Sequence, residues 1–519
     1  MSEVRGIKRT KIIATLGPAI TGELVSFDQL KDNTFKASVM QAYERMEALF
    51  RSGVNVVRLN FSHGNHECQG VKLKIVRDVA KKLNIPVAIL LDTKGPEIRV
   101  GNLKGNLISI KTGEKVEIYT TKKIIGEKNK FSVSDSSGTY NMANDLKKKD
   151  QILIDDGKLT LKVDNVQKFN GVVHATSLNS HVVWANKRIN LPGVKYSMPF
   201  LSDKDIADIK YGIENKVDII AASFVNNSDD VKKIRNILKE HCATGIKIIS
   251  KIESANAISN IDDIIQKSDG IMVARGDLAL EIPYYEIPYW EKYIIKACRL
   301  LGKKCIVATQ MLDSLEKNVF PTRAEVTDVF YAVERGTDAT MLSGESASGL
   351  HPINAVEVMN QINLQSEQLF DYGRSIDVYY PKTTNFHTVS GRIIWELALK
   401  CAPRRMLVNN TFKYDFIVVF TNDFKLLDAF SNIRFPSTII AVTTNKSVYL
   451  GCGVSYGVYT YLLDKQEWKD DITALSKNEQ KLIAQSAIKH YCNIYNFKRN
   501  YSCAIFDYKK NCLSKIPNS

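Results

Sequence analysis

A chain of 519 residues that is 44% hydrophobic and 24% charged is too long for one small core, so two to four globular domains are expected. Its formal charge of +15 comes largely from lysines spread along the whole length, the longest pure run being Lys147–Lys149 with no arginine-rich tail; this argues against nucleic acid or an anionic membrane and leaves a solvated basic surface, with small anions as the remaining partner class. The nine cysteines are scattered without a C-x-x-C pair or Cys/His metal spacing, the first residues lack a signal-peptide core and no run of about 18 apolar residues occurs, so a soluble, cytoplasmic protein with reduced thiols is expected.

In chain order, the first strand is "TKIIAT" (10–15), followed by a surface excursion over 20–40. "VNVVRLN" (54–60) and "PVAILLD" (86–92) follow as further continuous apolar runs, the pattern of parallel strands covered on both faces. About a hundred residues then precede the next helix, "SDKDIADIKYGIENK" (202–216), far more than a normal strand-to-helix loop holds. Within them "NLISIKTGEKVEIYTT" and "DQILIDDGKLTLKVDNV" alternate apolar and polar residues and carry Asp-Gly turn signals, which predicts an inserted, small all-β lid domain over 95–192. The strand pattern resumes with "VDIIAAS" (217–223), "IKIISKIE" (246–253), "DGIMVAR" (269–275), "KCIVATQM" (304–311) and "TDATMLSGE" (337–345). Amphipathic stretches separate these runs, as in 229–241, where Val231, Ile234, Ile237 and Leu238 mark one helical face. Eight such units predict an α/β fold, a (β/α)₈ TIM barrel built from 1–94 and 193–373. After about residue 374 the strands "DFIVVFTND" (415–423) and "STIIAVTTN" (437–445) indicate a C-terminal open α/β domain over 374–519. Its "GCGVSYG" (451–457) lacks the G-x-G-x-x-G spacing, so no dinucleotide site is expected there.

Barrel enzymes carry their reacting groups at the carboxyl ends of the strands. Here the second strand end supplies Arg58, Asn60, Ser62 and His63, and the third Asp92, Thr93, Lys94, Glu97 and Arg99. The fifth supplies Lys251 and Glu253, the sixth Arg275 and Asp277, the seventh Thr309 and Gln310, and the eighth Ser343 and Glu345. One such residue alone reads as an ordinary ion pair or cap, but six strand ends loaded in this way imply a site, because unpaired charge beside a core is costly. Glu253 and Asp277 are hard oxygen donors on adjacent strands, suited to Mg²⁺ or Mn²⁺ rather than zinc. Lys251, two residues before Glu253 and on the same strand face, offers a positive charge to a phosphoryl oxygen or an enolate. The backbone N–H groups of Gly276 and Asp277 can hold a carboxylate, Arg58 and Arg99 add anion donors, and Asn60, Ser62, Asp92 and Thr93 form an oxygen-rich cluster suited to a monovalent cation. There is no Walker loop and no kinase glycine loop. The residues indicate metal-assisted transfer of a phosphoryl group involving a small carboxylate. A metal-dependent lyase or aldolase working through an enolate, and an inactive ligand-binding protein, stay open at this point.

The segments "KRTKIIATLGPA", "GVNVVRLNFSHG", "LLDTKGPEIRVG", "NLPGVK", "IISKIESA", "MVARGDLALEIP", "ATQML", "PTRAEVTDV" and "DATMLSGESASGLHP" resemble the successive signatures of the pyruvate kinase family, densely over 8–18 and 52–370. The resemblance implies conversion of phosphoenolpyruvate and ADP to pyruvate and ATP, with Mg²⁺ on Glu253 and Asp277. It implies that Lys251 stabilises the phosphoryl group in flight and the enolate, that Arg58 contacts the phosphoryl group, and that Gly276 and Asp277 lie at the substrate. Thr309, with Ser343 nearby, would belong to the network that delivers a proton to the enolate. K⁺ would sit on Asn60, Ser62, Asp92 and the Thr93 carbonyl, and Glu97 matches the members that need it. Pro18, Asn60, His63, Arg99 and Lys195 would lie around the nucleotide and the lid, and a homotetramer is the family's usual assembly. The chain departs from the family pattern at Ala279, usually glycine, at Cys68, commonly a tyrosine on the nucleotide side, and in its longer 20–40 stretch. It also carries "TNDFKLLDA" (421–429) where many members have a Ser/Thr- and Gly-rich phosphate loop; Asp423 and Phe424 there oppose a sugar bisphosphate, so insensitivity to fructose 1,6-bisphosphate is expected.

Overall fold

The computed structural model describes residues 7–135, 140–401, 413–463, 472, 475–497, 500–508 and 510–516. The eight apolar runs form one closed parallel barrel: Lys11–Thr15, Val56–Asn60, Ala88–Asp92, Ile219–Ala222, Lys247–Ile252, Gly270–Ala274, Lys304–Ala308 and Ala339–Leu342, each beside its chain neighbour. The first strand pairs with the eighth, Lys11 opposite Ala339, and closes the ring. Alternation along each strand divides the apolar residues into two cores. Ile13, Leu90, Ile249, Met272, Ile306 and Met341 fill the lumen, whereas Ile12, Leu91, Ile248, Ile271, Val307 and Leu342 belong to the layer beneath the helices. Complete burial of such a side chain stabilises the fold by about 1.5–3 kcal/mol, which is why continuous apolar runs specify barrel strands here. The 20–40 stretch runs from the end of the helical turn Pro18–Thr21, through the short 3-10 turn Asn33–Phe35, into the helix Lys36–Arg51, and is largely exposed.

The insertion leaves the barrel after the third strand and folds as its own closed seven-stranded β-barrel with a separate core that includes Ile98, Ile118, Phe131, Ile154 and Leu161. Its first strand, Ile98–Val100, pairs with its last, Arg188–Asn190, with Arg99 opposite Arg188. The chain therefore enters and leaves this unit side by side, and both strands lie next to the barrel's carboxyl-end face.

The C-terminal sheet has the order Val458–Leu462, Thr438–Thr443, Phe416–Phe420, Cys503–Asp507, Cys512–Ile516, parallel except at the last strand. It seals the opposite end of the barrel. Val454 joins the lumen cluster, Lys304 Nζ reaches Asp428 at 2.8 Å, and Arg434 bonds Asp338 at 3.0 Å. Gly453 is needed there, because a Cβ atom would come within 2.4 Å of the Ala88 methyl group. The 451–457 segment follows the helix Lys446–Gly451 and precedes a strand, the reverse of the strand–glycine–helix order that cradles a dinucleotide. No helix among the described residues is long and apolar enough to cross a membrane.

Candidate active site

The open carboxyl-end face gathers its polar groups around Asp92, which ends the third strand and is 1% exposed. Its Oδ2 accepts a hydrogen bond from Arg58 Nε at 2.5 Å, and its Oδ1 accepts from Lys251 Nζ at 3.1 Å and Ser223 Oγ at 3.1 Å. Burial alone would raise the Asp92 pKa, but Arg58 and Lys251 hold it below the usual carboxylate range.

Lys251 and Glu253 stand side by side as their spacing predicts, with Nζ 2.9 Å from Glu253 Oε1. The ammonium also donates to Ser223 Oγ at 2.8 Å. Burial works against its charge, yet Asp92 and Glu253 outweigh that effect and raise its pKa. Glu253 Oε2 accepts from the backbone N–H of Phe224 at 2.7 Å, whereas Oε1 is buried with the Lys251 ammonium beside it. Burial holds the Glu253 carboxyl above the usual range, with Asp277 adding to that effect and Lys251 opposing it.

Asp277 lies on the single helical turn Arg275–Leu278 after the sixth strand, and its Oδ1 meets the guanidinium of Arg188 from the inserted domain. Ala279 ends that turn with ordinary right-handed dihedrals, so the methyl group that distinguishes it from glycine adds no backbone strain. Gly276 N–H donates to Thr309 Oγ1 at 2.7 Å. Thr309 and Gln310 both have positive φ, 68° and 51°, a left-handed conformation that β-branched threonine avoids unless its surroundings impose it. Arg275 imposes it by donating to both of their carbonyls, at 2.9 and 3.3 Å. Its Nη1 is committed to Asp328 and Glu291, so Arg275 turns away from the site and acts as a strut.

Two carboxylates on adjacent strand ends, one with a buried oxygen whose neighbour is a movable ammonium, fit a hard divalent cation that completes its shell with water and substrate oxygens. Among the described residues no group of three or more His, Cys, Asp or Glu side chains forms a closed protein cage, as that kind of site does not require one.

Asn60 lies opposite Asp92 in the strand register, and its Oδ1 accepts from the Ser62 N–H at 3.0 Å. The Thr93 carbonyl accepts from Ser223 Oγ at 2.7 Å. These oxygens are neighbours, but the Asp92 carboxylate is already shared by two cationic side chains. Ser343 directly follows the adjacent eighth strand, and its N–H donates to Glu345 Oε2 at 2.6 Å; no hydrogen bond joins it to Thr309 among the described residues. Arg99 bonds Glu97 at 2.7 Å and the Asn186 carbonyl at 2.9 Å. His63 is exposed beside this group; partial burial and then Arg99 lower its pKa, Glu97 opposing. Pro18 opens the helical turn Pro18–Thr21 above the first strand. Lys195 is exposed on the return from lid to barrel, and no bond among the described residues ties it to the cluster.

Three participants escape the sequence reading. Ser223 and Phe224 directly follow the fourth strand, where the strand-end rule applies equally and a lone serine after "VDIIAA" is the signal. Arg188 carries no such signal, because only the docking of the inserted domain brings it to Asp277.

A family model described as "Pyruvate kinase, barrel domain" matches residues 7–356. A pyruvate kinase of Mycoplasma genitalium is 54% identical over 486 residues, 93% of this chain and 95% of that protein, and one of Mycoplasma pneumoniae is 51% identical over 94% and 95%. The crystal structure of a pyruvate kinase from Cryptosporidium parvum superposes with a TM-score of 0.81 at 32% identity, covering 98% of this chain and 96% of that one. With the strand-end cluster of Asp92, Lys251, Glu253 and Asp277 on an eight-stranded barrel, these similarities establish that the chain belongs to the pyruvate kinase family and is an enzyme of that class.

Proposed function

We propose that this enzyme transfers the phosphoryl group of phosphoenolpyruvate to ADP, giving pyruvate and ATP, and that it requires a divalent cation and K⁺. The observation that carries the reading is the buried Lys251 ammonium, fixed by Asp92, Ser223 and Glu253 beside the carboxylate pair Glu253 and Asp277. Mg²⁺ or Mn²⁺ held by Glu253 and Asp277 would supply Lewis-acid charge to the phosphoryl and enolate oxygens. K⁺ would be held by Asn60, Ser62, Asp92 and the Thr93 carbonyl.

The chain's own residues divide the remaining work. Lys251, held before substrate arrives, faces the charge that develops on the transferring group and on the enolate oxygen, and its low exposure strengthens that interaction. Arg58, anchored on Asp92 and 3.0 Å from Thr15 Oγ1, directs its guanidinium to the phosphoryl oxygens. The turn bearing Gly276 and Asp277 receives the substrate carboxylate, and Thr309, locked in its left-handed turn, orients the proton source for the enolate carbon with Ser343 on the neighbouring strand. Pro18, Asn60, His63, Arg99 and Lys195 line the nucleotide side between barrel and lid.

We assign these tasks to three units, a barrel of 1–94 and 193–373, a lid of 95–192 and a C-terminal domain of 374–519, in a cytoplasmic homotetramer. Exposed aromatic residues on one barrel flank, Tyr284, Tyr285, Tyr289 and Phe320, at 77%, 70%, 64% and 82%, support self-association. Membership of the family removes the lyase reading. The test is a coupled assay of pyruvate formation with and without Mg²⁺ and K⁺. ADP-dependent turnover that needs both ions is expected; no turnover with both present contradicts the reading and favours an inactive ligand-binding relative.

A further inference from the structure

Three segments that are far apart in the sequence meet at the end of the inserted domain that points away from the barrel. The turn before the strand Leu159–Gln167 lies against the barrel, because a Cβ atom on Gly157 would stand 3.3 Å from Leu280 Cδ2. The nine residues of that strand carry the chain roughly 30 Å outward. They end in a hairpin tip, 168–171, that leads into Val172–Ser177. There the Thr120 N–H donates to the Gly171 carbonyl at 2.8 Å, Asn141 Nδ2 donates to the Lys168 carbonyl at 3.4 Å, and Lys168 Nζ donates to the Asn144 carbonyl at 3.0 Å. A Cβ atom on Gly171 would come within 2.3 Å of Thr121 Oγ1, so the tip is pressed against the 120–125 loop and held rigidly. It presents Phe169 fully exposed, and the neighbouring loop leaves Ile125 70% exposed. Around them stand Lys122, Lys123 and Lys168, with Lys147, Lys148 and Lys149 following the turn Met142–Asn144 along the flank, all six exposed. None of the six forms an ion pair among the described residues, and the carboxylates nearby are engaged elsewhere. Asp145 accepts from Tyr140 OH and the Ser197 N–H, Asp150 accepts from the Lys147 N–H, Asp164 pairs with Lys115, and Glu127 pairs with Lys104.

A single exposed phenylalanine is ordinary on a protein surface, but one on a rigid projecting tip among six unpaired ammonium groups is accounted for neither by the fold nor by the proposed chemistry at the other end of the domain. Small anions are held in concave sites by fixed donors, whereas this tip is convex. Its cations are long, flexible lysines rather than the planar arginine forks that read phosphate geometry, and its centre is apolar. A single-stranded nucleic acid would call for a groove with several stacking rings. What matches is a broad, deformable anionic surface with an apolar layer just beneath it. We infer that the outer tip of the lid docks on anionic phospholipid bilayers, Phe169 entering the boundary between headgroups and acyl chains while the six lysines face the lipid phosphates. The sequence distributes these lysines over separate segments, so their excess reads there as a general basic surface, and only the folding of the inserted domain gathers them. The attachment is peripheral and reversible, because one aromatic side chain and a lysine cluster fall far short of the apolar length that spans a bilayer. It keeps the bilayer about one strand length away from Asp92, Lys251, Glu253 and Asp277.

Binding of the whole enzyme is measured by co-sedimentation with vesicles of equimolar phosphatidylglycerol and phosphatidylcholine, and with vesicles of phosphatidylcholine alone. The parent is expected to bind the first and not the second, and to be released as salt rises. Phe169→Ser is expected to weaken binding on the order of 10-fold. The triple variant Lys122→Gln, Lys123→Gln, Lys168→Gln is expected to weaken it on the order of 10²-fold, about five-fold per lysine. Pyruvate formation is expected to stay at the parent's rate in both, since neither alters the strand-end cluster. A control triple on the barrel's outer helices, Lys210→Gln, Lys239→Gln, Lys267→Gln, removes the same charge and is expected to bind nearly as the parent does. Equal loss in the two triple variants assigns the binding to overall charge and overturns the inference. Equal binding to both kinds of vesicle, or binding to neither, overturns it as well, and unimpaired binding of Phe169→Ser removes the apolar anchor on which it depends. Tighter binding of the parent to a duplex oligonucleotide or to polyglutamate than to the anionic vesicles, through the lid lysines and not Phe169, overturns the bilayer in favour of a nucleic acid or an acidic protein.

Discussion

Replacing Lys251 by methionine keeps the length of the stem and removes the ammonium, which lies 2.9 Å from Glu253, 3.1 Å from Asp92 and 2.8 Å from Ser223 Oγ. At such separations and an effective dielectric of about 20, each carboxylate attracts a unit positive charge by roughly 5 kcal/mol before desolvation is counted. The ammonium is therefore fixed in place before substrate arrives, and its stabilisation of the transition state requires little reorganisation. By analogy with removal of one preorganised oxyanion donor, its loss is expected to cost about 3 kcal/mol of barrier, a fall in kcat of roughly 10²–10³. Stability also falls, because Asp92 and Glu253 lose a buried partner; breaking such a pair costs about 3–5 kcal/mol, and the retained Arg58 contact to Asp92 moderates it towards the lower end. The assay is steady-state pyruvate formation at saturating phosphoenolpyruvate, ADP, Mg²⁺ and K⁺, with a thermal melt of the same sample to exclude unfolding as the cause. A folded variant with kcat within a few-fold of the parent refutes the assignment of Lys251 to the chemistry.

Thr309→Ala removes the hydroxyl that accepts from Gly276 N–H, and it is expected to lower kcat by about 10² or more with little change in KM for phosphoenolpyruvate. A matching loss is expected in solvent-proton exchange at the methyl group of pyruvate, and normal exchange would remove Thr309 from proton delivery. Burial pushes the Asp218 carboxyl up to about 7, with the Ile89 N–H and Arg77 opposing. The folded chain thus binds that proton more tightly than the unfolded one, so this contribution to stability is complete below about pH 4 and is lost as pH rises through the folded value. Asp218→Asn is accordingly expected to raise the melting temperature near pH 8 and leave it unchanged near pH 4, and equal effects at both would contradict the shift. Fructose 1,6-bisphosphate is expected to leave the phosphoenolpyruvate saturation curve in place, because Asp423 caps the start of the helix Phe424–Asn432 with its own carboxylate, where a phosphate would need donors. A leftward shift of the curve would contradict this.

The barrel is legible in the sequence because its strands are buried on both faces over most of their length and so read as largely apolar runs, "AILLD" and "GIMVA" among them. The lid is legible for the opposite reason, since its strands alternate, as in the pattern of Leu159–Gln167. Lys251 and Glu253 are local neighbours, so strand periodicity alone places their charges together. What depends on docking is not legible. Nothing near Arg188 indicates a partner 89 residues away, and Arg275, which stands at a strand end like the functional residues, turns outward because helices of the barrel's outer layer supply Glu291 and Asp328. The left-handed turn at Thr309 is likewise hidden, because threonine is not a residue that announces positive φ.

The measurement that bears most directly on the central claim is anomalous diffraction from crystals grown with Mn²⁺ and phosphoenolpyruvate. The account predicts one manganese peak bonded to both Glu253 and Asp277, with Lys251 Nζ within hydrogen-bonding distance of the substrate's phosphoryl group. A peak at other residues, or substrate bound with neither carboxylate ligating manganese, would contradict it.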